Sequence, residues 1–189
     1  MKILIINGNP ANSSSAGGAS STLGEYLNGL TESLRERSLE VKSLSLADLK
    51  IHYCIGCFSC WLKTPGKCVF QDDMELILRE ILKSDLVIYA APLSLGFLHS
   101  LLKKALDRTI PLVLPYIGIY KKECHHYLRY PKMPLLGILV EKEADTDGED
   151  LDITYGVMKR LSLNMRTRLV FSGTTEKSPE EVFHEISCI

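Results

Sequence analysis

Lys2-Ile-Leu-Ile-Ile6, closed by Asn7-Gly8, decides the fold class, because after the lysine its residues are apolar in succession rather than in alternation. A strand with one wet face alternates, whereas an unbroken apolar run is a strand buried on both faces, as inside a parallel sheet covered by helices. The same kind of run recurs in Asp85-LVIYAAP, ended by Pro92, and in Pro134-LLGILV. Glu40 to Leu46 (EVKSLSL) alternates and predicts a half-buried strand near a sheet edge, and Thr167-RLVFSG predicts a fifth strand. Helical patterns lie between them. From Ser20 to Arg37 the residues Leu23, Tyr26, Leu27, Leu30 and Leu34 recur at helical spacing, and MELILREILKS follows the capping pair Asp72-Asp73. Leu98 to Arg108, Glu149 to Asn164, and Ser178-PEEVFHEI, with Ser178 as cap and Pro179 in the first turn, complete the set. Five alternations of strand and helix predict an α/β fold with right-handed crossovers and helices on both faces of a parallel sheet.

The length of 189 residues suits one well-buried domain and is short for two, so a single domain over residues 1–189 is expected. A formal net charge of -1 gives no excess of basic side chains to neutralise a phosphate backbone, which argues against nucleic acid as a partner. The first apolar run is far below the roughly 20 residues of a membrane span, so no membrane partner and a cytoplasmic location are expected. In that reducing compartment the six cysteines are not expected to form a disulfide framework.

Open α/β sheets bind ligands at the carboxyl ends of the strands. The loop after the first strand, Asn7 to Thr22, is rich in hydroxyls and far longer than the about 2 to 6 residues a plain connection needs. It has neither the GxGxxG of a dinucleotide fold nor the GKS or GKT of a nucleotide triphosphatase. Hydroxyls and backbone amides at a helix N-terminus suit a monophosphate; the alternative is a surface loop with Ser20 or Ser21 as a simple cap. The loop after the third strand, Ala91-Pro-Leu-Ser-Leu-Gly-Phe97, is apolar and suits the edge of a planar ring or a plain hydrophobic turn.

Cys54, Cys57, Cys60 and Cys68 fall within fifteen residues, in YCIGCFSCWLKTPGKCVFQDDM. C-x2-C-x2-C is the spacing of ferredoxin-type segments around a [4Fe-4S] cluster, with Cys68 after the Pro65-Gly66 turn as fourth ligand. Zinc would also accept four thiolates, though more often from two separated pairs, and reduced cysteines can simply pack as small hydrophobes.

NGNP with an S-S-T-L helix start, the CxxCxxCW…GKCxxxDDM segment, the SDLVIYAAPLSLG loop and the LLKKALDR helix together resemble the NADPH-dependent FMN reductase family of flavodoxin-like proteins, and most of all its iron-sulfur flavoprotein branch. The resemblance covers about residues 1–110. Family members commonly read GSPR and P-x-Y where this chain has Asn7-Gly8-Asn9-Pro10 and Pro92-Leu93-Ser94. The resemblance implies a five-stranded sheet of order 2-1-3-4-5 and FMN as cofactor. The FMN phosphate would lie against Asn9, Ser20, Ser21 and Thr22, and its ring beside Pro92, Leu93, Ser94, Leu95 and Gly96. It further implies NAD(P)H as electron donor, a small acceptor such as a quinone or a flavin, a homodimer or homotetramer, and a [4Fe-4S] cluster on Cys54, Cys57, Cys60 and Cys68. The activity is then that of an oxidoreductase, or else of an electron carrier or redox sensor without turnover. No side chain in these loops suggests itself as a general acid or base.

Thr109 to Met133 is a long connection that combines apolar residues with Lys121, Lys122, His125, His126, Arg129 and Lys132. It is expected to cover the flavin and form a dimer interface, or to offer positive charge to a nicotinamide cofactor's phosphates, or to be a solvated basic face. Adjacent His125 and His126 point to opposite sides of an extended segment and are not expected to share a metal. The acidic run Glu141 to Asp152 is expected to cap the next helix, and Trp61 to serve the core or an interface.

Overall fold

A computed structural model describes residues 1–10 and 22–188 of the chain. Five strands, β1 (Lys2–Asn7), β2 (Glu40–Ser45), β3 (Leu86–Ser94), β7 (Leu135–Glu141) and β8 (Leu169–Thr174), form a parallel sheet in the order β2-β1-β3-β7-β8. This is the expected 2-1-3-4-5 order, in which the chain reverses direction across the sheet between β1 and β3. The apolar runs behave as their composition dictates. Ile3, Ile5, Leu86 and Ile88 face one layer, made by α1 (Thr22–Glu36) and α6 (Pro179–Ser187), through Leu23, Leu27, Leu30 and Val182. Leu4, Ile6, Val87 and Tyr89 face the other layer, made by α3 (Met74–Lys83), α4 (Ser100–Asp107) and α5 (Gly148–Asn164). The acidic run does cap α5: Asp147 accepts from the Glu149 and Asp150 N–H groups and completes a capping box.

Three features depart from the sequence pattern. Strand β3 continues two residues beyond Pro92, then turns at Leu95-Gly96 into the antiparallel β4 (Phe97–Leu98), so the expected loop is a tight hairpin and α4 begins at Ser100 rather than Leu98. Leu95 and Gly96 adopt φ of 54° and 73°, the left-handed pair of a type I′ turn. The connection from Thr109 to Met133 is itself structured, as a second sheet formed by β5 (Val113–Tyr120) and β6 (Glu123–Leu128). Finally, a single short turn, α2 (Ser59–Leu62), lies within the cysteine segment.

Candidate functional site

Register aligns the carboxyl ends of the central strands. Asn7 pairs with Ala90, and Pro92 with Glu141, so the chain just past β1, the end of β3 and the end of β7 meet at one edge. There the Gly8 N–H donates to the Ala90 carbonyl at 2.7 Å. A Cβ on Gly8 would lie 2.8 Å from the Leu102 Cβ, so this close approach of backbone to α4 requires glycine. Asn9 is buried, and its N–H donates to Asn7 Oδ1 at 2.9 Å. Thr22 opens α1 at the same edge, while Ser20 and Ser21 lie outside the described residues.

Residues 92–96 sit in two environments. Leu93 is 3 % exposed and its side chain belongs to the core, so only its backbone is available to a ligand; Leu95 is 97 % exposed at the hairpin tip. The tip is held from behind, with the Gly96 N–H donating to Glu143 Oε2 at 3.4 Å. The patterning of this edge gave no sign of Glu141. Its carboxylate accepts hydrogen bonds from Thr22 Oγ1 and from the Leu23 N–H, at the first turn of α1. Burial pushes this carboxyl above its ordinary pKa, against the lowering effect of the Leu23 N–H. A carboxyl group of the protein's own therefore occupies the helix terminus where a phosphate is expected.

The four-cysteine segment is built by other elements. Cys54, Cys57, Cys60 and Cys68 all line one small cavity whose remaining wall is apolar, including Ile55, Phe58, Val69, Phe70 and Ile110. Cys54 and Cys57 are exposed and Cys60 and Cys68 half-buried around it; among the described residues, no group of three or more Cys, His, Asp or Glu side chains is placed to hold a metal ion. Hydrogen bonds from Ser59 lower the Cys57 pKa, whereas burial and the neighbouring Cys68 raise that of Cys60.

A buried knot closes the segment at its base. Arg108, 2 % exposed at the end of α4, donates from both terminal nitrogens to Asp72, at 2.9 and 3.0 Å, and to the His52 carbonyl at 2.7 Å. Asp72, with its side chain 3 % exposed, also accepts from the His52 N–H and ring and from the Met74 N–H. His52 stacks on Phe70 with ring centroids 4.7 Å apart, and the Arg108 guanidinium lies over the same Phe70 ring. Burial works against ionised Asp72, but the Arg108 and His52 hydrogen bonds prevail and hold its pKa down to about 2. Burial likewise opposes the Arg108 charge, and the bonds to Asp72 together with the nearby Cys68 and Cys54 thiols raise its pKa above the ordinary value. The expected capping by Asp72-Asp73 is thus only partial: Asp72 caps Met74, while Asp73 accepts from the Lys50 N–H at 2.7 Å.

The β5–β6 hairpin buttresses the segment. Trp61 donates its indole N–H to the Val113 carbonyl at 2.9 Å and leans against His126. Arg129 donates to the Pro111 carbonyl at 2.9 Å and to the Cys60 carbonyl at 3.5 Å. It is a structural brace rather than a free phosphate ligand, which leaves Lys121 and Lys122 as the exposed cations of the hairpin turn. His125 and His126 point to different partners: His125 is buried against Asn164 and Glu123. A cavity of about 490 Å³ lies between Cys54, Trp61, Leu106, Val113 and His126. Among the described residues, no helix is long and apolar enough to cross a membrane.

The family model described as NADPH-dependent FMN reductase matches residues 1–122, a span that holds Asn9, Thr22, residues 92–96 and the four cysteines but ends before Glu141. An iron-sulfur flavoprotein of Methanocaldococcus jannaschii is 34% identical over 112 residues, covering 59% of this chain and 53% of that protein. The chain aligns with about half or less of the length of the curated relatives it matches. Among solved structures, an NAD(P)H:quinone oxidoreductase from Methanothermobacter marburgensis superposes with a TM-score of 0.62 at 16% identity, covering 100% of this chain and 96% of that one. An FMN-dependent NADH-azoreductase from Bacillus anthracis, in complex with FMN, gives 0.60 at 18% identity, covering 97% and 93%. At such identities these two likenesses speak for the fold.

Proposed function

We propose, from the premise that this chain belongs to the NADPH-dependent FMN reductase family, that it is an FMN-dependent oxidoreductase of the cytoplasm, working as one flavodoxin-like domain. It passes electrons from NAD(P)H or a reduced carrier to a small acceptor such as a quinone or a flavin. The observation that carries this is the family match, which spans β1, the start of α1, β3 with its hairpin, and the four-cysteine segment. FMN, when bound, supplies hydride acceptance and one-electron release. The protein's part is positional. Asn9 and Thr22, with Ser20 and Ser21, would hold the phosphate, and the backbone of residues 92–96 would flank the ring. The fit at the phosphate carries one condition: Glu141 must give up the first turn of α1 or take up a proton.

The C-x2-C-x2-C spacing and the iron-sulfur flavoproteins among the relatives favour a [4Fe-4S] cluster over zinc, and the four cysteines line one shared space whose remaining wall is apolar. A cluster held by Cys54, Cys57, Cys60 and Cys68 supplies one-electron transfer. The cavity between Trp61, His126 and Cys54 falls within the roughly 300–1,000 Å³ typical of small-molecule sites and is the acceptor's place in this reading. Tyr116, Ile117, Ile119 and Tyr127 are exposed on the hairpin and support its pairing with a second copy, in a homodimer or homotetramer.

One observation favours a second function. Tyr53, Ile55, Phe58 and Leu62 are exposed along the cysteine segment, as on a carrier or redox sensor that docks a protein partner. Anaerobically purified protein should contain FMN, iron and acid-labile sulfide, and should oxidise NAD(P)H steadily with an added quinone. Flavin that cycles only with a protein partner would establish the carrier, and absence of flavin would refute both.

A further inference from the structure

The buried guanidinium of Arg108 has more hydrogen-bonding capacity than its protein partners use. Its two terminal nitrogens are engaged by Asp72 and the His52 carbonyl. Its Nε is buried and has no hydrogen-bond partner among the described residues. A buried N–H on a cation that lacks an acceptor costs on the order of 1 to 3 kcal/mol, more for a charged group, so such groups are rare without a missing partner. The surroundings narrow what that partner can be. Phe70, whose ring lies 5.5 Å from the guanidinium, shares one cavity wall with all four cysteines. Arg108 itself lines a neighbouring cavity together with Cys68. Sulfur, from Cys68 on the same cavity wall, is thus an acceptor chemistry within the space that Arg108 lines.

We propose that Arg108 is a positioning and potential-setting residue for a sulfur-bound centre on the four cysteines, with its Nε–H donating to a sulfur of that centre while its terminal nitrogens close the segment's neck. The inference rests on the cluster reading given above. The two halves of the guanidinium divide the work. The terminal nitrogens join His52, two residues before Cys54, to Asp72, four residues after Cys68, and so fix both ends of the ligand loop. The Nε–H stabilises negative charge on sulfur, which favours the reduced form of the centre. Lysine cannot do both, because it lacks the planar fork.

The test uses whole protein reconstituted anaerobically with ferrous iron and sulfide, with FMN content as the check on folding. Arg108→Lys is made alone, and Arg108→Gln is made together with Asp72→Asn so that no unpaired charge is left buried. Both variants should keep FMN and still take up iron and sulfide. The midpoint potential of the iron centre should move to more negative values, further in the doubly substituted protein. A chelator should strip the iron at least about ten times faster than from wild type. A purely structural role for Arg108 would hasten iron loss but leave the potential unmoved, and that result overturns the proposal. Unchanged potential and unchanged iron retention in both variants overturn it as well. Wild-type protein that takes up neither iron nor sulfide defeats the cluster reading itself, and the inference with it.

Discussion

Glu141→Gln gives a direct test of the proposed phosphate site, because the protein's own carboxyl group lies at the helix terminus assigned to the ligand. Glu141 is half-buried and accepts from both Thr22 and Leu23 at the first turn of α1. A carboxylate in such a position gains about 0.5 to 2 kcal/mol from the helix terminus, and an entering phosphate forfeits that gain. Glutamine keeps the hydrogen-bonding shape without the charge, so FMN should bind the variant about 2 to 30 times more tightly. The pH dependence has a definite sign. Burial raises the Glu141 pKa and a bound phosphate raises it further, so FMN binding to wild type takes up a proton and weakens as pH rises through that value. Below the ordinary carboxylate pKa of about 4.3 the residue is neutral in either state, and the two proteins should bind alike. Quenching of FMN fluorescence on titration gives both dissociation constants, and their ratio should grow from pH ~5 to ~8. A variant that binds FMN no better than wild type at any pH would refute the reasoning.

Two further expectations concern the cysteine segment. The Asp72 pKa, lowered to about 2, contributes on the order of 2 kcal/mol of stability, present above its ordinary pKa and lost as pH falls toward 2; denaturant unfolding at low pH should show this acid limb, and an equally steep limb in Asp72→Asn would exclude Asp72 as its source. Arg129→Glu should destabilise the fold by about 1 to 3 kcal/mol and lower iron retention, since it removes the brace on the Pro111 and Cys60 carbonyls. Lys122→Glu, at an exposed turn, should leave stability within about 0.5 kcal/mol and raise the KM for NADPH; an unchanged KM would remove the hairpin turn from the donor site.

The sheet could be read from the sequence because burial on both faces leaves a pattern that no other element shares. Ile3 to Ile6 and Leu86 to Ala91 are apolar at every position, and each position is buried. The β5–β6 hairpin could not be read in that way. Tyr116, Ile117 and Ile119 are apolar yet exposed, so apolar character and burial part company there, and Pro115 within the run argues against a strand. A local signal was nonetheless present, in two β-rich runs on either side of Lys121-Lys122, whose φ values of 51° and 67° form the turn. The cysteines stood out from their spacing alone, but the groups that hold them did not. Arg108 looks like a polar helix end and Asp72 like a cap; their pairing spans 36 residues, and no periodicity reports a contact of that range. Glu141 was hidden for the same reason, 119 residues from Thr22.

Helix α4 links the two sites, and this gives a prediction that neither site would give alone. Near its start Leu102 packs on Gly8 at the strand edge, and just past its end Arg108 closes the cysteine neck. Six residues of helix separate them, a rise of about 9 Å. The helix therefore fixes the distance between the strand edge and the cysteine segment, much as a strut would. Leu102 is fully buried, and Leu102→Ala should cost about 2 to 5 kcal/mol, depending on how far α4 settles into the space left behind. If α4 acts as one rigid body, that settling must weaken FMN affinity and iron retention together, although Leu102 lies at only one of the two sites. Arg108→Lys, which leaves the Gly8 contact intact, should lower iron retention alone. Measured side by side on protein that remains folded, a Leu102→Ala variant with weakened FMN binding and undiminished iron retention would show that the two ends of α4 respond independently.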